Sequence, residues 1–400
     1  MSTLKMIEVY TQNGLRKVRP YYNKRSAFVK GRWLGKSLID VLATEFRLRS
    51  RAYYLAQIEK GTYKLIRDGV PLVPSHLMTV TIKNHDVLET TAHKHEPPVK
   101  QWCSQSMEAD DSAGRIAGFD IVFEDETILV IDKPSGIPIH PTGQFYQNTI
   151  TEVLKSHGVN VLPCYRLDKI TSGLLILAKN SQSAGEIQKN IRSRDMSKYY
   201  LARVKGKFPH SESILNNDNA VDSIFADTSN ITIESSPIYS IDPKRQFPAG
   251  LSASRDAITK FYPIRYISHA DETVVACKPT TGRTHQIRIH LARLGHPIVN
   301  DSVYCSYVTR YPERLKFIIQ FPRWEDQRDL STEKLRTIFQ KFIEETKNNC
   351  QTMKTLCSEC DTIELKDPLP SDLELWLHAW RYEDTEGKFK FETNLPSWVH

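Results

Sequence analysis

The stretch that most constrains this chain is Cys164-Tyr165-Arg166-Leu167-Asp168-Lys169-Ile170-Thr171-Ser172-Gly173, followed by the apolar run Leu174-Leu175-Ile176-Leu177-Ala178. A carboxylate lies two residues after an arginine, just before a run that reads as a buried strand. Thr171, Ser172 and Gly173 between them are turn formers. Such an arrangement presents Asp168 at the mouth of a sheet, where loops carry chemistry on a rigid scaffold. An isolated Asp in a turn is ordinarily a solvated surface residue. The function of this one therefore rests on what accompanies it.

Four stretches recur in one order. The first is Arg166-Leu167-Asp168-Lys169-Ile170-Thr171-Ser172-Gly173, and the second is Lys198-Tyr199-Tyr200-Leu201-Ala202-Arg203-Val204-Lys205-Gly206. Next come Gly282-Arg283-Thr284-His285-Gln286-Ile287-Arg288-Ile289-His290 and Leu294-Gly295-His296-Pro297-Ile298-Val299-Asn300-Asp301. Together they resemble the motif series of the RluA-type pseudouridine synthases. The resemblance covers roughly residues 120 to 306 and 374 to 400, and more weakly the N-terminal region.

The resemblance implies an α+β fold, a mixed and mostly antiparallel sheet forming the pseudouridine-synthase core. It implies an enzyme, an isomerase that cuts the C1′–N1 bond of uridine, turns the uracil and rejoins it through C5. That rearrangement is redox-neutral, so no cofactor is expected. By the same resemblance Asp168 is the catalytic carboxylate and Arg166 fills the place of the flipped base. Tyr200 stacks on the uracil, and Arg288 pairs with Asp168. Lys198, Arg283 and His285 are expected to support the site or contact phosphate.

Whole-chain properties agree with an RNA partner. Net charge is +7 and the pI about 8.9, which favours a polyanion. Seven cysteines without a secretory leader argue for a reducing compartment rather than a disulfide framework. No apolar run approaches membrane-spanning length, so no membrane association is expected. A monomer in the cytoplasm is expected, with mitochondria as a further compartment.

Residues 1–34 form a basic lead-in. Through residue 36 there are nine Lys and Arg against one acid, Glu8. Arg16, Lys17, Arg19, Lys30 and Arg32 interleave with aromatics, as RNA-contacting surfaces do, and are expected to bind RNA. Residues 35–92 read as a small α-α-β domain similar to the S4-like RNA-binding module. Leu38, Val41, Leu42 and Phe46 share a helical face. Ser50 caps a second helix ending at Gly61, surrounded by Arg47, Arg49, Arg51 and Lys60. Asp68-Gly69 marks a hairpin, and Met78 to Ile82 alternate as a strand.

Residues 93–117 read as a linker. His93-Lys94-His95-Glu96 suggests a metal, but two histidines without further ligands fall short of a zinc set. Residues 118–306 and 371–400 make the catalytic domain, and 207–256 an irregular excursion from it. Residues 307–370 read as an insertion with one helix containing Leu335, Ile338, Phe339, Phe342 and Ile343. The insertion holds Cys350 and the pair Cys357-Ser358-Glu359-Cys360. Three cysteines lack an obvious fourth ligand, so no metal site is expected.

The lead-in, the small N-terminal module and the His-x-His-Glu-Pro-Pro peptide resemble the fungal tRNA branch of the family. That implies tRNA as partner and a uridine of the anticodon arm, position 31 or 32, as target. Ribosomal RNA is the alternative substrate. A non-catalytic RNA-binding or RNA-folding protein is the alternative class, disfavoured by the intact set Asp168, Tyr200 and Arg288.

Overall fold

The computed structural model describes residues 7–46, 50–103, 114–211, 229–241, 251–320, 337, 340–345, 352–360, 362–384, 387 and 389–400. Arg47, Arg49, Leu335, Ile338, Phe339 and Cys350 lie outside the described residues. The chain divides into two compact units. The smaller comprises Met1–Val9, Val18–Glu96 and Lys354–Glu364; the larger comprises Tyr10–Lys17, Pro97–Met353 and Leu365–His400. No helix among the described residues is long and apolar enough to cross a membrane.

The larger unit is built on an 11-stranded sheet. Its main path runs Thr232–Glu234, Thr259–Ile267, Glu272–Pro279, Met196–Lys205, Leu377–Asp384, Ser172–Ala178, Ile128–Lys133, Phe119–Glu124 and Arg115–Ile116. The pairings along it are antiparallel except one. Ser172–Ala178 runs parallel to Leu377–Asp384, through Ser172↔His378 and Gly173↔Ala379. The expected α+β architecture with a mostly antiparallel sheet is what forms.

The apolar run after Asp168 becomes a central strand because it is sheathed on both faces. Leu174, Leu175, Ile176 and Leu177 are all buried, with Leu129, Val130 and Ile131 of the neighbouring strand and Ile150, Val153 and Leu154 of the helix Ile150–Ser156 in the same core. A second core lies between Val204, Phe261, Val275 and Cys277 of the sheet and Ile287 and Leu291 of the helix Gln286–Arg293. That helix stops as the sequence predicts, at Gly295 with φ +83°. The expected insertion is not wholly separate: its helix Pro312–Gln320 buries Leu315, Phe317 and Ile318 in one cluster with Tyr304, Ile289 and Phe342.

The smaller unit carries a four-stranded sheet, Tyr21–Phe28, Val87–Lys94, Tyr63–Arg67 and Val70–Pro71. Ser50 caps the helix Arg51–Glu59 through the Tyr53 N–H, 3.2 Å away. Asp68 and Gly69 both take positive φ in the hairpin, as an Asp-Gly turn requires. The expected strand Met78 to Ile82 does not form. Pro74–Met78 is a turn of 3-10 helix, and Ile82 is held by the 35–37 loop, with the Gly35 N–H donating to its carbonyl at 3.0 Å. The sequence reading predicts neither Tyr21–Phe28 nor Val87–Lys94 as a strand; the more central of the two is Val87–Lys94. It pairs with Tyr21–Phe28 over eight positions and with Tyr63–Arg67 on its other side.

Candidate active site

Asp168 sits on the loop between Leu162–Pro163 and Ser172–Ala178. The loop is closed by the Thr171 N–H donating to the Asp168 carbonyl at 3.1 Å, and by the Gly136 N–H donating to the Lys169 carbonyl at 2.8 Å. Leu167 and Thr171 point inward and are buried. Gly173 takes φ +108°, and a Cβ there would stand 2.2 Å from the Ala379 carbonyl oxygen. Only glycine permits this approach of the two parallel strands.

A residue outside the four motif stretches also holds the loop. Lys133 is completely buried. Its Nζ donates to the carbonyls of Pro134 at 2.9 Å, Lys169 at 3.1 Å and Thr171 at 2.8 Å. Burial pulls its ammonium down to about 7, opposed by the nearby charge of Asp168. The available signal was a lysine at the end of a strand that opens with four apolar residues, Ile128–Lys133, where a buried charge survives only if it is fully hydrogen-bonded.

Two groups converge on the Asp168 carboxylate, whose side chain is one-third exposed. His285 Nε2 lies 3.6 Å from Oδ2, and Arg288 Nη1 lies 3.8 Å from the same oxygen. The resemblance led us to expect Asp168 as the partner of Arg288. The geometry corrects the emphasis. Arg288 makes its bidentate pair with buried Asp301, Nε at 2.7 Å and Nη2 at 2.8 Å, and only its remaining nitrogen faces Asp168. Asp301 also accepts the N–H groups of Val303 and Tyr304 at 2.9 and 3.1 Å. The hydrogen bonds from Arg288 and its charge hold the Asp301 carboxyl below the usual range against its own burial. The guanidinium lies over the Tyr304 ring at 4.9 Å. It is thus fixed on two sides before any substrate arrives.

His285 adopts positive φ at the start of the Gln286–Arg293 helix, and its Nδ1 is 2.8 Å from the Tyr304 hydroxyl. Burial and the adjacent Arg288 charge pull its imidazole down to about 4, so it is neutral at physiological pH. Gln286 shapes the preceding loop: its Oε1 accepts from the Arg283 N–H at 3.0 Å and its Nε2 donates to the Ile258 carbonyl at 3.0 Å. Arg283 Nε donates to the Asp256 carbonyl at 2.9 Å.

Tyr200 lies on Met196–Lys205, where the register against Leu377–Asp384 shifts between Tyr199 and Tyr200. Such bulges redirect side chains beside sites. The Tyr200 and Tyr382 hydroxyls are 3.0 Å apart. Tyr165 donates to the Leu174 carbonyl at 3.0 Å and accepts from the Ile176 N–H at 3.1 Å. Burial raises all three phenols, Tyr200 to about 12, where the charge of Asp168 adds to the effect. Lys198 places its ammonium 4.8 Å over the Tyr165 ring and 5.7 Å over the Tyr382 ring. Burial lowers it to about 8. Lys198 is therefore part of the aromatic bed rather than a free phosphate ligand. Arg166 is exposed.

The lead-in cations do not form one free surface. Arg16 corrects the expectation most directly: it is 5% exposed, donates to Asn148 Oδ1 at 2.6 Å and stacks 5.4 Å over Trp102. Lys17 pairs with Asp367. In the smaller unit Arg19 pairs with Glu8 at 2.8 Å and Arg32 with Glu45 at 2.6 Å, while Lys30 lies 5.4 Å over Trp33.

The larger unit brings the Asp168 carboxylate beside a fixed guanidinium and a neutral imidazole. The sequence matches the RNA pseudouridylate synthase family over residues 127–293. It is 80% identical over 399 residues to the tRNA pseudouridine(31) synthase of Saccharomyces cerevisiae, covering 100% of this chain and 99% of that protein. It is 34% identical to the mitochondrial tRNA pseudouridine(32) synthase of the same organism, covering 98% and 78%. It is 32% identical to the human pseudouridylate synthase RPUSD2, covering 98% and 74%. The chain belongs to the RluA-type RNA pseudouridine synthases, isomerases that convert uridine in RNA to pseudouridine.

Proposed function

We propose that the chain is a tRNA pseudouridine synthase acting on uridine 31 of the anticodon arm. The observation that carries this reading is the 80% identity, over essentially the full length of both chains, to a protein named for that position. The relative named for position 32 stands much further away, at 34%. Its name places it in mitochondria; for this chain we propose the cytoplasm, with mitochondria as a further compartment.

In this reading Asp168 acts on the ribose, as nucleophile at C1′ or as base. Arg166, exposed two residues before it, enters the stack when the uridine is flipped, offsetting part of an unstacking cost of a few kcal/mol. The Tyr200 ring stacks on the extruded uracil. Arg288, anchored by Asp301, presents fixed positive charge to the carboxylate. The smaller unit, with its sheet and the exposed cations Lys30 and Arg32, is an RNA-binding domain of the S4-like kind.

The test uses tritium release from 5-tritiated uridine in two tRNA transcripts, one with cytidine at 31 and one with cytidine at 32. Release should vanish with the first and persist with the second. The reverse pattern refutes the position. Asp168→Asn should abolish release while leaving tRNA affinity within a few-fold, and near wild-type release from that variant would overturn the assignment of the carboxylate.

A further inference from the structure

Two stretches read separately in the sequence come together in the smaller unit. His93 lies next to the end of the strand Val87–Lys94, and His95 follows two residues later on the same face, as the two-residue period of extended chain requires. Cys357 and Cys360 flank the turn after the strand Thr352–Leu356. One ligand atom from each of these four residues lies within 4.8 Å of all the others. We propose that His93, His95, Cys357 and Cys360 bind one zinc ion, in a structural site that ties the 352–365 hairpin to the N-terminal sheet.

The distances fit a metal. Zinc binds sulfur at about 2.3 Å and imidazole nitrogen at about 2.0–2.1 Å in a tetrahedron, so ligand atoms should stand about 3.3 Å (N···N) and about 3.6 Å (N···S) apart. Here His93 Nδ1 is 3.3 Å from His95 Nε2 and 3.6 Å from Cys357 Sγ, and Cys360 Sγ is 3.3 Å from His95 Nε2. The two rings meet edge-on, at 88°, with centroids 4.9 Å apart. Both nitrogens can therefore aim at one point without the rings colliding. Cys357 and Cys360 are free thiols, and His93 and Cys357 are buried, at 6% and 9% exposure.

The surroundings fit as well. The Glu359 N–H donates to Cys357 Sγ at 3.4 Å, and the Thr362 hydroxyl lies 3.0 Å from Cys360 Sγ. Such contacts suit sulfur carried as thiolate. With Nδ1 of His93 on the metal, its Nε2 faces Glu359 Oε2 at 3.9 Å, and that carboxylate accepts from the Tyr22 hydroxyl at 2.9 Å. A carboxylate behind a ligating histidine fixes its tautomer. The alternative is a cluster of hydrogen-bonded thiols and imidazoles with no ion. It accounts for each contact singly, but not for four soft donors from chain segments 264 residues apart converging on one point. Two sulfurs and two imidazoles in a tetrahedron select zinc over harder cations. Four protein ligands leave no open position, so the ion is structural rather than catalytic.

The full chain, expressed with zinc and purified without chelator, should carry about one zinc per chain by plasma mass spectrometry. Apoprotein exchanged with cobalt(II) should show the intense visible bands of a tetrahedral site and a thiolate charge-transfer band. Cys357→Ser/Cys360→Ser should lose the zinc and the charge-transfer band. His93→Cys, which keeps four ligands, should retain zinc and shift the cobalt spectrum toward three sulfurs, separating lost ligation from lost folding. Metal-free full chain that takes up no cobalt overturns the proposal, as does a zinc content unchanged in the double serine variant.

Discussion

The contact that anchors the Asp168 loop is the approach of Gly173 to Ala379, and Gly173→Ala tests it directly. The added Cβ would stand 2.2 Å from the Ala379 carbonyl oxygen, 2.5 Å from its nitrogen and 2.7 Å from its carbonyl carbon. All three are backbone atoms, so no side chain can swing aside. Alanine at φ +108° carries a backbone strain of about 1–3 kcal/mol. Relieving the overlap by parting the strands costs about 1–3 kcal/mol more, by analogy with overpacked cores, and weakens the parallel pairing at Ser172↔His378. A loss of about 2–6 kcal/mol should lower Tm by roughly 4–24 °C in a unit of this size. Because Asp168 lies five residues upstream on the loop this strand anchors, tritium release should fall even at temperatures where the variant stays folded. The control is Gly185→Ala inside the helix Ser181–Ser193, where a Cβ meets nothing within 4 Å. That change should stabilise by about 0.5–1 kcal/mol. Wild-type melting and turnover in Gly173→Ala would refute the steric argument outright.

Three further outcomes are expected. Tyr200→Phe keeps the ring but removes the hydroxyl 3.0 Å from that of Tyr382; if that hydroxyl relays a proton at C5, turnover drops about 10²-fold or more with tRNA affinity unchanged, and wild-type turnover would confine Tyr200 to stacking. Arg16→Ala should lower Tm without changing the slope of log affinity against log salt, because its guanidinium is buried on Asn148, whereas Lys30→Ala should flatten that slope by about 0.7–0.9 if Lys30 meets phosphate. Finally, burial pulls the imidazoles of His290 and His378 down to about 4, and His285 to the same level. A folded-state value below the unfolded one means that the unfolded chain binds more protons between about pH 6.5 and 4. Stability is therefore lost as pH falls through that window, on the order of 3 kcal/mol per imidazole when complete. Urea midpoints at pH 7.5 and 5 measure it, and equal midpoints would contradict the neutral burial of these rings.

What the sequence made legible was local. Ser50, Gly61, Asp68-Gly69 and Gly295 announce caps and turns through their own backbone preferences, and each sits where it was expected. The run 174–178 announces a buried strand because nothing polar interrupts it. What stayed hidden depends on partners distant in sequence. Val87–Lys94, with two threonines and an acid, lacks a clean alternation and owes its place to strands on both sides. Arg16 reads as one cation among many in a basic lead-in, and only Asn148, 132 residues away, shows that it is internal. The two halves of the histidine–cysteine cluster each lack a full ligand set, so neither could be recognised alone.

The same distinction explains how the site is organised. In the proposed reading one carboxylate, Asp168, carries the reaction, and a lone carboxylate in a loop would be mobile. The groups that restrain it are themselves buried and consumed: the Lys133 amine by three carbonyls, the Arg288 guanidinium by Asp301 and the Tyr304 ring. His285 is held neutral, so it adds polarity beside Asp168 without adding charge. On this loop the Asp168 side chain stays one-third exposed and Arg166 is exposed. Such preorganisation places the cost of arranging charges in folding rather than in the chemical step. It follows that substitutions at Lys133 or Asp301 should act on both stability and turnover, whereas Asp168→Asn should act on turnover alone.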